Sequence, residues 1–210
     1  RYLFCDEVDA FPADVDGEGD PVSLAERRTT TFARRKILLT STPTVKDFSR
    51  IEAEYLRSDQ RRFFVPCPAC GVMEWLKWPQ IKWDKDRPST AVYQCEHCGE
   101  RFEELHKPRM LSEGEWRATA PSDGKTAGFH LSGLYSPLGW CSWEQLVDDF
   151  LRAKGDAPAL KSLVNTRLAE AFAEDYRAAA SHTGLIAQPL PAADGHCPSG
   201  RGIVIAHRSP

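Results

Sequence analysis

Tyr2-Leu3-Phe4-Cys5-Asp6-Glu7 and, further on, Lys36-Ile37-Leu38-Leu39-Thr40-Ser41-Thr42-Pro43 are the runs whose reading decides the fold. The first is apolar and stops abruptly at two carboxylates, as a buried parallel strand does where its C-terminal end meets a crevice. Residues 12–21 are rich in Pro, Gly and Asp and read as a loop. Asp20-Pro21 then supplies an N-cap and a first-turn proline for a helix reaching about Phe32. The second apolar run ends in three hydroxyls and a proline. Strand, helix, strand in this order predicts a βαβ unit and an α/β sheet. A further helix is expected from Val45 to Leu56, with Ile51, Tyr55 and Leu56 on one side.

Downstream the pattern changes. From Phe63 to His106, short alternating runs (Phe63-Phe64-Val65, Glu74-Trp75-Leu76-Lys77-Trp78, Val92-Tyr93-Gln94, Arg101-Phe102-Glu103) are each bounded by turn residues, which predicts a small antiparallel β module inserted into the α/β part. Trp116 and a strand at Gly128-Phe129-His130-Leu131 follow. Two helices come next, one capped by Ser142 with Leu146, Val147, Phe150 and Leu151 inward. The other starts near Pro158 and presents Leu160, Leu163, Val164, Leu168 and Phe172 at helical spacing. Beyond Arg177 the order stops, apart from an apolar stretch at Ile203-Val204-Ile205.

Within the β module, Cys67-Pro68-Ala69-Cys70-Gly71 and Cys95-Glu96-His97-Cys98-Gly99 form two matched knuckles separated by 24 residues. Two residues between cysteines let one tight turn place both thiolates on a single ion, and the following glycine tolerates the left-handed backbone of that turn. A redox site needs only one such pair, and iron–sulfur spacing usually differs. Cys67, Cys70, Cys95 and Cys98 are therefore the expected ligands of a structural Zn²⁺. Four thiolates leave no open coordination position for catalysis. His97, between two ligands, is expected to be exposed. Trp75, Trp78, Trp83 and Phe102 read as the module's own small core rather than as base-stacking platforms.

Seven cysteines, with Cys5, Cys141 and Cys197 scattered singly, fit a reducing compartment better than a disulfide scaffold. A net charge of −3 excludes a uniformly basic nucleic-acid binder. The basic stretches Arg27-Arg28, Arg34-Arg35-Lys36 and Arg61-Arg62 would need to converge in space to contact DNA. No apolar run approaches the ~20 residues of a membrane span, so no membrane partner is expected. The first residues resemble neither a signal nor a transit peptide, which predicts a cytoplasmic location and a chain that begins inside a longer protein.

An apolar strand ending in Asp6-Glu7 has the form of a Walker B motif. There the first carboxylate holds Mg²⁺ and the second orients or deprotonates the attacking water. Thr40-Ser41-Thr42, at the end of the next strand, stands where P-loop motor ATPases place a hydroxyl-rich motif that senses the γ-phosphate. Asp9, on the following loop, reads as solvated. No Gly-x-x-x-x-Gly-Lys-Ser/Thr occurs in the 210 residues.

Taken together, these pieces resemble the lambda-type (GpA) terminase large subunit of tailed phages and prophages. The resemblance runs from Arg1 to Tyr176. It rests on Leu3 to Ala10, Lys36 to Thr44, Asp59-Gln60-Arg61-Arg62, Val65 to Gly71, Tyr93-Gln94-Cys95, Gly128 to Pro137 and Val164-Asn165-Thr166. It implies a DNA-packaging ATPase. Asp6 would be the Mg²⁺ carboxylate and Glu7 the catalytic one, Thr40, Ser41 and Thr42 the coupling motif, and the four cysteines a zinc ribbon. ATP would be the cosubstrate. Double-stranded DNA, a small terminase subunit, a portal protein and further copies of the chain would be partners.

The expected organisation is the second half of a P-loop ATPase core at 1–62, the zinc ribbon at 63–107, the rest of the ATPase domain with a helical linker at 108–177, and an irregular tail at 178–210. The endonuclease domain of the family is expected to be absent, with a frameshift in the tail as the explanation, and the chain by itself to be inactive. The alternative function is a non-catalytic zinc-ribbon module that binds nucleic acid or protein.

Overall fold

An apolar strand followed by a capped helix builds the first unit as the sequence dictates. Strand β1 (Tyr2–Cys5) pairs in parallel with β2 (Lys36–Thr40), with Tyr2 opposite Lys36 and Cys5 opposite Leu39. Helix α1 (Pro21–Arg27) connects them and is capped by the Asp20 carboxylate, which accepts from Ser23 N at 2.8 Å. It stops at Arg27, short of Phe32, because residues 28–31 turn toward β2 instead. Helix α2 (Arg50–Leu56) starts at its Ser49 cap rather than at Val45, and Leu56 points outward while Ile51 and Tyr55 are buried.

The structure, a computed structural model, describes residues 1–173 and the backbone of residues 202–206. The main sheet runs β1-β2-β10-β9-β3-β4 and contains β3 (Arg61–Pro66), β4 (Met73–Trp75), β9 (Thr126–His130) and β10 (Gly202–Ala206), with β8 (Glu115–Arg117) beside β3. β3 pairs with β9 in parallel, whereas β10 is antiparallel to both β2 and β9. The architecture is thus mixed α/β. Two features differ from expectation. β1 lies at the edge of the sheet among the described residues, so Tyr2 and Phe4 are 67% and 70% exposed and only Cys5 of the strand is buried. The apolar stretch 203–205, read as part of an irregular tail, is the centre of strand β10. The rest of that tail, residues 178–201 and 207–210 with Cys197, lies outside the described residues.

The cysteine-bearing region is less separate than its alternating pattern suggested. β3 and β4 form a hairpin of the main sheet, and only β5 (Ile81–Asp84), β6 (Arg87–Gln94) and β7 (Arg101–Phe102) make a small antiparallel sheet of their own. α3 (Lys107–Ser112) follows. α4 (Trp143–Ala153), capped by Ser142, and α5 (Ala157–Leu163), capped by Asp156, pack beyond it. One core joins Cys67, Leu76, Ile81, Tyr93, Cys95 and Phe102 to Leu134, Trp143, Leu146 and Val147. Trp78 and Trp83 pack on Phe150 of α4, with ring centroids 5.4 and 6.0 Å away. These aromatics therefore fill an interface shared with α4 rather than a private core. That argues against a free-standing binding module: cut out alone, the small sheet would expose the face now covered by Trp143, at a cost of about 25 cal/mol per Å².

Candidate functional site

The parallel register of β1 and β2 brings the two sequence-selected motifs together. Thr40 Oγ1 donates to Asp6 Oδ1, which also accepts the Glu7 amide at 3.0 Å. Thr42 N makes a long 3.5 Å contact to Glu7 Oε2. Ser41 is the buried member of its trio and turns away from the pair, its Oγ accepting from Asp9 N at 3.1 Å. Both carboxylates are exposed, and Glu7 has a left-handed backbone, φ 52° and ψ 46°, a conformation held only where the surroundings impose it. Asp9 is not the solvated bystander the sequence suggested. Its Oδ1 accepts from Ile51 N at 2.7 Å, and its Oδ2 accepts from Thr44 N and Thr44 Oγ1 at 3.1 and 3.0 Å. The signal was available in Ser41-x-x-Thr44, whose hydroxyls bracket Pro43 and reach back to the preceding loop.

The four paired cysteines converge as well. All four Sγ atoms lie within 4.8 Å of one another, with Cys67 to Cys98 at 3.8 Å and Cys70 to Cys95 at 3.9 Å. A tetrahedral zinc with Zn–S of about 2.3 Å places its sulfurs about 3.8 Å apart, so the donor set and the spacing fit that ion. The two knuckles repeat one geometry. Gly71 N donates to Cys67 O and Gly99 N to Cys95 O, and both glycines are left-handed, at φ +73° and +74°. Burial pushes the Cys67 and Cys95 thiols up, while the Val72 amide pulls the Cys70 thiol down. Glu74, buried in β4, accepts from Glu96 N at 3.1 Å and ties the second knuckle to β4. His97 is exposed and donates its amide to Cys95 Sγ at 3.4 Å.

The three basic stretches have different fates. Arg27, Arg28, Arg34, Arg35 and Lys36 lie on one acid-free stretch from the end of α1 to the start of β2, and none of them forms an ion pair among the described residues. Arg61 instead pairs with Asp59 at 2.8 Å, and Arg62 is buried against His130. No helix among the described residues is long and apolar enough to cross a membrane.

The chain is similar to known proteins along most of its length. Residues 1–116 match the family described as phage terminase large subunit gpA, ATPase domain, and residues 126–207 match the terminase large subunit gpA, endonuclease domain. The chain is 33% identical to the terminase large subunit of Enterobacteria phage P21, across 80% of this chain and 30% of that protein. It is 34% identical to the terminase large subunit of Escherichia phage lambda, across 80% of this chain and 29% of that protein. The chain thus spans less than a third of the length of these curated relatives. No solved structure matches. The second match corrects the expectation that the endonuclease domain is absent: it is represented at 126–207 and continues in this reading frame through the tail thought to be irregular. The Pro, Gly and His content of that tail masked it, whereas the strand at 202–206 is what its apolar stretch encodes. The chain belongs to the gpA family of phage terminase large subunits.

Proposed function

We propose that Asp6, Glu7 and Thr40 to Thr42 form the metal-and-water side of a terminase ATPase site, built on the C-terminal ends of two strands of a P-loop-type sheet. The observation that carries this reading is the Thr40 Oγ1 to Asp6 Oδ1 hydrogen bond across the β1–β2 pair. With Oδ1 held by Thr40 and by the Glu7 amide, Asp6 Oδ2 is left for water on a divalent cation. Mg²⁺, when bound with ATP, would neutralise charge on the phosphate oxygens. Glu7 would orient the attacking water and accept its proton, and Thr42 would transmit the state of the γ-phosphate through its contact to Glu7. Cys67, Cys70, Cys95 and Cys98 would hold zinc in a structural role, the ribbon of residues 63–107 bracing α4 against the sheet.

In the whole protein this site would drive double-stranded DNA into a capsid, with the endonuclease segment cutting concatemers. A small terminase subunit, a portal and further copies of the chain would be its partners, in the host cytoplasm. The test is Mg²⁺-dependent ATP hydrolysis by a terminase polypeptide that joins this segment to a phosphate-binding loop. Glu7→Gln should lower the rate by about a hundredfold or more while ATP binding persists. An unchanged rate would remove Glu7 from the mechanism.

A further inference from the structure

Asp9 holds neither role assigned above, yet it makes more links to the β2–α2 connection than the candidate catalytic pair does. It sits in the 3-10 turn Val8–Ala10, which is anchored by the fully buried Val8. Its amide donates to Ser41 Oγ at 3.1 Å, and its carboxylate accepts from Thr44 N, Thr44 Oγ1 and Ile51 N at 3.1, 3.0 and 2.7 Å. From the other side, Phe172 N donates to Thr44 O at 3.0 Å and Lys46 N donates to Phe172 O at 3.1 Å. Among the described residues, the end of β2 and this connection reach the acidic pair through Thr40 to Asp6 and the long 3.5 Å contact of Thr42 to Glu7.

We propose that Asp9 is a positioning residue whose carboxylate clamps the Ser41–Thr44 turn and the start of α2 to the Asp6-Glu7 turn. The clamp sets the approach of Thr42 to Glu7 and holds Glu7 in its left-handed backbone. Three donors onto one carboxylate are charge-assisted bonds, stronger than neutral ones. Pro43 between Thr42 and Thr44 stiffens the link, since proline fixes its own φ and restricts the residue before it. What the clamp serves rests on the reading of Asp6 and Glu7 given above; the clamp itself rests on the four hydrogen bonds.

Amide hydrogen exchange on the whole chain tests it, comparing wild type with Asp9→Asn and with Thr44→Val. Asparagine keeps one acceptor and turns an NH₂ toward donors. The amides of Thr42 and Ala10, which donate to Glu7 rather than to the Asp9 carboxylate, should then exchange about tenfold faster once the intrinsic rate change at Ala10 is subtracted. Those of β3 and β6 should keep their rates, and Thr44→Val should give a smaller rise at the same positions. Unchanged exchange at Thr42 and Ala10 would overturn the proposal, as would a rise shared equally by the whole chain. A parallel Mn²⁺ titration separates the two readings. Failure of the wild type to bind Mn²⁺ would count against Asp6 as a metal carboxylate, while the exchange rates would still decide the clamp.

Discussion

The Arg62 guanidinium donates to Nδ1 of the buried His130 ring, tying β3 to β9 across the boundary between the two family matches. Burial, and secondarily the Arg62 charge, holds His130 well below the ordinary histidine range. The ring is therefore neutral in the fold. Below about pH 6.5 the unfolded chain takes up a proton that the folded chain does not, so stability is full above that pH and is lost as pH falls. Denaturant melts from pH 7.5 to 5 should show this loss. His130→Asn, which keeps an acceptor for Arg62, should flatten the curve, and an unchanged slope would show that other groups dominate.

The zinc reading predicts a bound ion in stoichiometric amount by elemental analysis, lost in Cys67→Ser and Cys95→Ser. Because the ribbon shares Tyr93, Phe102 and Trp143 in one core, chelation should loosen α4 together with the small sheet. Circular dichroism melts should then show one coupled transition falling in temperature. A chelated chain that keeps its melting temperature would refute a structural metal.

Gly128 in β9 has no room for a side chain. A Cβ there would lie 2.0 Å from Ser58 Oγ, 2.8 Å from Ser58 Cβ and 3.0 Å from Tyr55 Cδ2. The clash pushes on the helix end that Tyr55 and Ser58 close, so Gly128→Ala should cost about 1–3 kcal/mol in a urea titration. A neutral substitution would mean that β9 packs less tightly against α2.

If the chain contacts DNA as proposed above, the acid-free stretch from Arg27 to Lys36 is where a phosphate backbone should land. Replacing Arg34 and Arg35 together by Glu should weaken double-stranded DNA binding and reduce its log–log salt slope by about two. Fluorescence anisotropy over a salt series measures both, and an unaltered slope would put DNA elsewhere.

Much of this was legible in the sequence because local chemistry sets it. Both knuckles, the Asp20 and Ser142 caps and the β1–β2 unit need only spacing and residue type. What escaped depended on distant partners. Tyr2 and Phe4 look like core residues until β1 is found at the edge of the sheet among the described residues, and Leu56, about 100° around α2 from Tyr55, falls outside the buried face. β10 is separated from its neighbours β2 and β9 by long stretches of chain, so no local pattern announces the pairing. Asp9 looks like one more surface carboxylate, because its donors come from residues 41, 44 and 51.

The central claim, that Asp6, oriented by Thr40 across the β1–β2 pair, carries a divalent cation, is met most directly by titrating the chain with Mn²⁺ and following the free ion by electron paramagnetic resonance. Asp6→Asn should weaken Mn²⁺ binding about tenfold or more, Thr40→Val less, with zinc content constant in all three proteins. Equal Mn²⁺ affinity in the wild type and Asp6→Asn would contradict the account.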